Sequence, residues 1–149
     1  MNKTKDTIFA LATPIGRSAV ATIRVSGSTA LEAVNKISLN MPKKHATAKV
    51  NTIISSNKEH IDQTITTIFK SPNTYTGEDV VEISSHGGPA VINKIIEVLG
   101  RRCRLRLAEP GEFTRRAFEN NKLDLTQVEA ISDLVNSETE AQRKQALSQ

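Results

Sequence analysis

The stretch Asp79-Val80-Val81-Glu82-Ile83-Ser84-Ser85-His86-Gly87-Gly88-Pro89-Ala90-Val91-Ile92 decides how the chain is read. Asp79 to Ser84 is a short β-branched run and predicts a strand. His86 to Pro89 then turns the chain, since glycine permits backbone geometries closed to other residues and proline fixes φ. Pro89 falls near the first helical position, where its missing N–H is no loss. Ala90 to Leu99 follows as a helix, with Gly100 as its expected C-cap.

Outward from this unit, the same reasoning predicts strands over Thr7–Ala12 and Ala19–Val25, joined by the turn Thr13-Pro14-Ile15-Gly16-Arg17. Ser28 is the expected N-cap of a helix over Thr29–Ile37, with Leu31, Val34 and Ile37 as its apolar stripe. Met41–Ala46 is a basic loop. Lys49–Ser55 and Gln63–Phe69 read as two strands around a hairpin-like turn at Ser56–Glu59. Arg102–Ala108 reads as a sixth strand. Beyond Pro110 a short helix spans Glu112–Glu119, with Phe113, Ala117 and Phe118 expected inward. Asp124 and Gln127 then stand three apart as in a capping box, opening a helix whose pattern continues to Leu147, ~35 Å at 1.5 Å per residue. Its apolar stripe fades after Val135, and a half-striped helix needs a partner surface. The expectation is an α+β domain over 1–118, with a mixed or antiparallel sheet, followed at 119–149 by the first helix of a truncated helical domain.

Composition narrows the classes. The chain has 149 residues, 38% hydrophobic and 24% charged, a soluble globular balance. Aromatic residues make up only 3%, with no Trp, so the core is built from Ile, Val, Leu and Ala. The same scarcity argues against an RNA binder that stacks many bases. A net charge of +4 permits nucleic-acid contact without requiring it. The single Cys103 excludes an intrachain disulfide and a multi-cysteine zinc site. No run approaches the roughly 20 apolar residues of a membrane helix, and Ile8–Ala12 is too short for a signal sequence. A cytoplasmic protein without membrane contact is expected.

No phosphate loop, nucleophile elbow or His-Glu-x-x-His is present. Asn121-Lys122-Leu123-Asp124 matches the Asn-Lys-x-Asp guanine tetrapeptide, but between two helices and without a phosphate loop it reads as a polar turn. Ser84–Gly88 is either an anion-facing strand-to-helix turn or simply a turn that needs glycine. His86 is a candidate ligand or base there, or a hydrogen-bonded turn residue. Glu82 and Arg24 each interrupt an apolar strand, where a charge is costly unless paired or liganded. One reading is a mutual ion pair. The other is a ligand: a carboxylate matches a planar N–H/NH2 edge such as a pterin or guanine, and a guanidinium matches a carboxylate or phosphate. Arg102, Arg104 and Arg106 alternate with Cys103, Leu105 and Leu107, giving either a charged edge strand or a strip for RNA phosphates. Cys103 falls on the apolar side as inert core.

Several co-ordered segments resemble one family. They are Asp6-Thr7-Ile8 through Gly16-Arg17, Ile23-Arg24-Val25-Ser26-Gly27, Tyr75-Thr76-Gly77-Glu78-Asp79 with Glu82 and His86-Gly87-Gly88-Pro89, and Pro110 to Phe118 followed by Asn121-Lys122-Leu123-Asp124-Leu125. Together they resemble the N-terminal part of the bacterial tRNA modification GTPases of the MnmE (TrmE) family. The resemblance implies a domain similar to tetrahydrofolate-binding domains of the glycine-cleavage type, which binds 5-formyltetrahydrofolate and forms a homodimer. It implies folate contacts at Arg24, Glu82 and Lys122, with Arg17, His86, Gly87 and Gly88 shaping the pocket. The family's GTPase domain, with its GTP, Mg2+ and K+, lies outside this sequence, as does its cysteine-containing C-terminal motif, so this chain alone is not expected to be catalytic. The full proteins work with the FAD-containing MnmG in a heterotetramer to modify C5 of the wobble uridine of certain tRNAs. The competing expectation is an adaptor without small ligand that presents Arg102, Arg104 and Arg106 to tRNA.

Overall fold

A computed structural model describes residues 6–13 and 20–133. The elements with defined bounds are β1 (Ile8–Leu11), β2 (Ala21–Ser26), α1 (Ala30–Lys36), β3 (Thr47–Ile54), β4 (His60–Phe69), β5 (Val80–Ser85), α2 (Pro89–Arg101), β6 (Arg106–Leu107) and α3 (Glu112–Glu119). Residues 125–133 are again helical. The continuation of that helix to Leu147, and the turn residues Pro14 to Arg17, lie outside the described residues. The class is α+β, as expected. Six strands form one mixed sheet in the order β3-β4-β5-β2-β1-β6. All neighbours are antiparallel except β1 and β6, which are parallel.

Register and the period of two assign each strand two faces. On one face Phe9, Ile23, Val25, Ile53, Ile68, Val81 and Ile83 are buried beneath α1 and α2. The helices contribute Ala30, Val34, Ile92, Ile95 and Leu99. Each Ile, Val, Leu or Phe side chain so removed from water stabilises the fold by roughly 1.5–3 kcal/mol. Arg24 and Glu82 stand on the other face.

Four local expectations change. Thr29, not Ser28, occupies the N-cap of α1, and its hydroxyl donates to Thr7 Oγ1 rather than capping the helix. Gly100 lies inside α2, which continues because Arg102 keeps helical dihedrals and its amide bonds the Val98 carbonyl. Consequently Arg102 to Arg104 are not strand. Arg104 has φ +56 and turns the chain, and only Arg106–Leu107 pairs with β1. The charged/apolar alternation is thus split between a helix end and a two-residue edge strand. Cys103 packs against α1 with its thiol directed at the Ala33 carbonyl, 3.3 Å away, and burial raises its pKa. Burial thus disfavours the thiolate, the form that would react.

The fourth change concerns α3. Its buried stripe is not Phe113, Ala117 and Phe118 but Glu112, Arg116 and Ala117; Phe118 is exposed. Glu112 takes a two-pronged hydrogen bond from Arg106 at 3.0 and 2.8 Å, a third from Arg116 at 3.2 Å, and a fourth from the Glu109 amide. Arg116 also reaches both Glu78 oxygens at 3.1 and 3.2 Å, and Glu78 accepts from Ser26 on β2. These bonds replace the hydration that burial removes. They tie α3 to β6, to β2 and to the loop before β5.

The hydrogen bonds from Arg106 hold the Glu112 carboxyl at a pKa of about 2, against an ordinary value of 4.5. A depressed carboxyl pKa gives stability that is complete above the unfolded value and is lost as pH falls through the folded one. The melting temperature is therefore expected to drop as pH falls from about 4.5 toward 2. Glu112→Gln should melt lower than the parent at pH 6, since it removes the buried carboxylate charge that Arg106 and Arg116 share, and should show a flatter profile across that window. Parallel slopes in a calorimetric pH series would contradict this assignment.

Candidate ligand pocket

Arg24 and Glu82 are direct cross-strand partners in the β2–β5 register. Their closest approach is 3.8 Å from Nε to Oε1, and both side chains are 31% exposed. That is an ion-pair distance without a hydrogen bond, so the carboxylate keeps acceptor capacity toward the space above the sheet. Arg24 is supported from the side by Phe113 on α3. The guanidinium carbon lies 5.8 Å from the ring centroid, within cation–π range.

That space is a cavity of about 500 Å³, within the usual range for small-molecule sites. Arg24, Val80 and Glu82 form its floor. Phe69 and the segment Asn73–Tyr75 make one wall, and Lys122 closes the other. The wall segment is ordered by its own bonds: Ser71 Oγ to the Gly77 carbonyl at 2.8 Å and Thr74 Oγ1 to the Glu78 carbonyl at 2.6 Å. It is also fastened to α3. Tyr75 Oη and Thr114 Oγ1 share a hydrogen bond at 3.1 Å, and Asn120 Nδ2 donates to the Thr76 carbonyl at 2.7 Å. Gly77 makes that approach possible, because a Cβ there would lie 2.9 Å from Asn120 Cβ and its φ is +84.

Lys122 owes its position to two helix caps in succession. Asn121 takes the left-handed conformation that ends many helices, with φ +60. The Lys122 amide then bonds the Ala117 carbonyl at 2.7 Å, the long-range bond of a Schellman motif. Two residues later Asp124 and Gln127 exchange backbone-to-side-chain bonds, each at 2.8 Å, forming the capping box that the sequence predicts. The guanine-like tetrapeptide is thus an interhelical joint whose Asp124 carboxylate is occupied by the helix it caps.

The expected site residues divide accordingly. Arg24, Glu82 and Lys122, separated in sequence, line one cavity. His86, Gly87 and Gly88 lie past the opposite end of β5 and do not line it. Gly87 serves the turn, since a Cβ there would fall 2.4 Å from Val91, and its amide donates to Ser85 Oγ. Ser85 in turn hydrogen-bonds Asp62. Arg17 lies outside the described residues. The residue-by-residue reading missed Phe69, Asn73, Thr74 and Phe113. Tyr75, the single tyrosine and set in a polar loop, was the available signal for that wall. Among the described residues no cluster of His, Cys, Asp and Glu is arranged to hold a metal ion, and no helix is long and apolar enough to cross a membrane.

The family model described as GTP-binding protein TrmE N-terminus matches residues 7–122. The tRNA modification GTPase MnmE of Dinoroseobacter shibae is 49% identical over 142 residues, covering 95% of this chain and 33% of that protein. The corresponding protein of Phenylobacterium zucineum is 51% identical over 97% of this chain and 32% of its own length. That of the Wolbachia of Brugia malayi is 47% identical over all of this chain and 33% of its own. The chain spans about a third of the length of these relatives. With the family model matched from β1 through the Lys122 joint, the chain belongs to the TrmE N-terminal family, the N-terminal part of the tRNA modification GTPases MnmE.

Proposed function

We propose that this chain is the folate-binding and dimerisation module of a GTPase that modifies C5 of the wobble uridine of certain tRNAs. The observation that carries this reading is the convergence of Arg24, Glu82 and Lys122 on one cavity large enough for a small ligand. An adaptor that only displays basic residues has no use for a carboxylate between two cations above a sheet. The adaptor alternative also loses its strip: Arg106 is engaged by Glu112 and Asp6, and Arg102 donates to the Ser55 carbonyl. The mixed α+β sheet is compatible with a fold of the glycine-cleavage tetrahydrofolate-binding type, with a domain boundary near residue 118.

In this reading Glu82 accepts hydrogen bonds from the N–H and amino groups of a pterin edge, a two-point match for a carboxylate. Arg24 and Lys122 direct positive charge to the ligand's carbonyl, formyl or carboxylate oxygens. Phe69, Val80 and Tyr75 supply apolar surface against the ring system. A reduced folate such as 5-formyltetrahydrofolate, held by Arg24, Glu82 and Lys122, would carry a one-carbon unit into this pocket. The GTPase domain with its Mg2+ and K+, the FAD-dependent partner and the tRNA belong to the whole protein, which we place in the cytoplasm. Dimerisation is supported by the open sheet face, where Val50 and Ile65 are cross-strand partners left 52% and 41% exposed.

Titration with 5-formyltetrahydrofolate is expected to raise the melting temperature, by the equivalent of about 2.7 kcal/mol at 100 times the dissociation constant. Glu82→Gln keeps the shape but exchanges an acceptor for a donor, which should weaken binding by ~2–3 kcal/mol with little change in apo stability. Unchanged affinity with collapsed apo stability would make Glu82 an ion-pair partner only. GTP with Mg2+ should give a flat calorimetric trace, because the sequence contains no phosphate loop; saturable micromolar binding would contradict the assignment. Light scattering at micromolar concentration is expected to give twice the mass of one chain, and a lone monomer would remove the dimer from this proposal.

A further inference from the structure

From Ala33 to Lys58 the sequence carries five lysines and no carboxylate. The fold gathers four of these with Lys70 around the Met41–Ala46 loop, on the helix side of the sheet and away from the ligand pocket. Lys43 and Lys70 line a depression of about 290 Å³ together with Glu32 and Asn35, over Leu31 and Ile68. Lys44 is next in the loop, and Lys36 follows Asn35 on α1. Lys49 shares the face of edge strand β3 that carries buried Asn51, which hydrogen-bonds Ser38 just after α1. The one carboxylate on this rim, Glu32, is 3.9 Å from Lys36. Among the described residues Lys43, Lys44, Lys49 and Lys70 have no carboxylate partner.

The lysines project from an ordered backbone. The Ala46 amide bonds the Ile68 carbonyl at 2.8 Å, and the Lys70 amide bonds His45 Nδ1 at 2.8 Å. Thr47 Oγ1 donates to the Lys44 carbonyl at 2.6 Å. Ordered, unneutralised ammonium groups repel one another unless counter-ions or a polyanion lie across them. The aromatic ring among them, His45, accepts the Lys70 amide at Nδ1 and packs edge-on against Phe69, which lines the opposite cavity, so the rings here are engaged with the protein. The chemistry therefore suits a chain of phosphates rather than bases.

We propose that this lysine face binds the phosphate backbone of RNA, in contact with the tRNA on which the whole protein acts. The inference rests on the tRNA-modification reading but not on the folate pocket, which lies on the other face of the sheet. Binding that follows phosphates is sequence-tolerant and strongly salt-dependent.

The test is titration of the purified chain with an unmodified tRNA transcript across a salt series, using the parent, the triple variant Lys43→Gln/Lys44→Gln/Lys70→Gln, and the same three positions changed to Arg. The parent is expected to bind with a steep salt slope. The Gln variant should lower that slope by two to three units, about 0.9 for each duplex phosphate no longer neutralised, and the Arg variant should restore it. All three should show the same cooperative melting without ligand, which shows that each is folded, and the same folate-induced shift. Equal tRNA binding by parent and Gln variant, or no salt-dependent binding by the parent, overturns the proposal while the folate shift stands. Retention of the parent on phosphatidylserine vesicles without any tRNA binding overturns it too, in favour of a membrane surface.

Discussion

The buried Glu112–Arg116 pair is the constraint on which the rest of the site depends. α3 is short, eight residues, and it presents two charges and one alanine to the protein rather than an apolar stripe. Such a helix has little hydrophobic reason to stay where it is. It stays because Glu112 is saturated by Arg106 and Arg116 while Arg116 is saturated by Glu112 and Glu78. Those partners come from β6, from α3 itself and from the loop entering β5. A guanidinium fork and a carboxylate meet in few geometries, so the network sets direction as well as attachment. Each buried charge has partners on two sides, so the network keeps its members paired even where one contact is lost.

From that pin the ligand pocket follows by short steps. α3 carries Phe113 against Arg24 and Thr114 against Tyr75. Past its C-cap Asn120, the left-handed backbone of Asn121 swings Lys122 over the sheet. The floor belongs to β2 and β5, and both walls belong to segments that the charged network and its neighbouring bonds hold together. The cavity is thus less a feature of the sheet than of the loop and helix fastened across it.

Much of this was legible in the sequence. Arg24 and Glu82 stood out because each breaks an apolar strand, and period-two alternation placed Glu82 on the face away from Val81 and Ile83. The capping box at Asp124 and Gln127 was readable because its chemistry is local. The turn after β5 was readable because Gly87, Gly88 and Pro89 are turn residues, and in the structure Gly87 has no room for a Cβ. What failed was long-range. Nothing in the pattern of Glu112 to Glu119 says that its inner stripe is charged, since the partners Arg106 and Glu78 are set by tertiary contact. The alternation over Arg102 to Leu107 suggested a strand, yet α2 runs on to Arg101 and the chain turns at Arg104, leaving only two residues to pair. Lys122 stood out in the sequence as part of the guanine-like tetrapeptide, and its ligand role came only through family resemblance, because a lysine in a polar turn carries no such signal until the turn is seen to face the strand charges.

The parallel pairing of β1 with β6 has a consequence for how this chain is made. β1 finds its antiparallel partner β2 soon after it is synthesised. Its other edge waits for Arg106 and Leu107, and the contact from Asp6 to Arg106 spans 100 positions. At roughly 5–20 residues per second on the ribosome, that edge stays unpaired for about 5 to 20 s. The β3–β4 hairpin can close during this interval from local contacts alone. The amino-terminal strand is therefore begun first and sealed nearly last, and its short length of four residues limits the template it offers to neighbouring chains in the meantime.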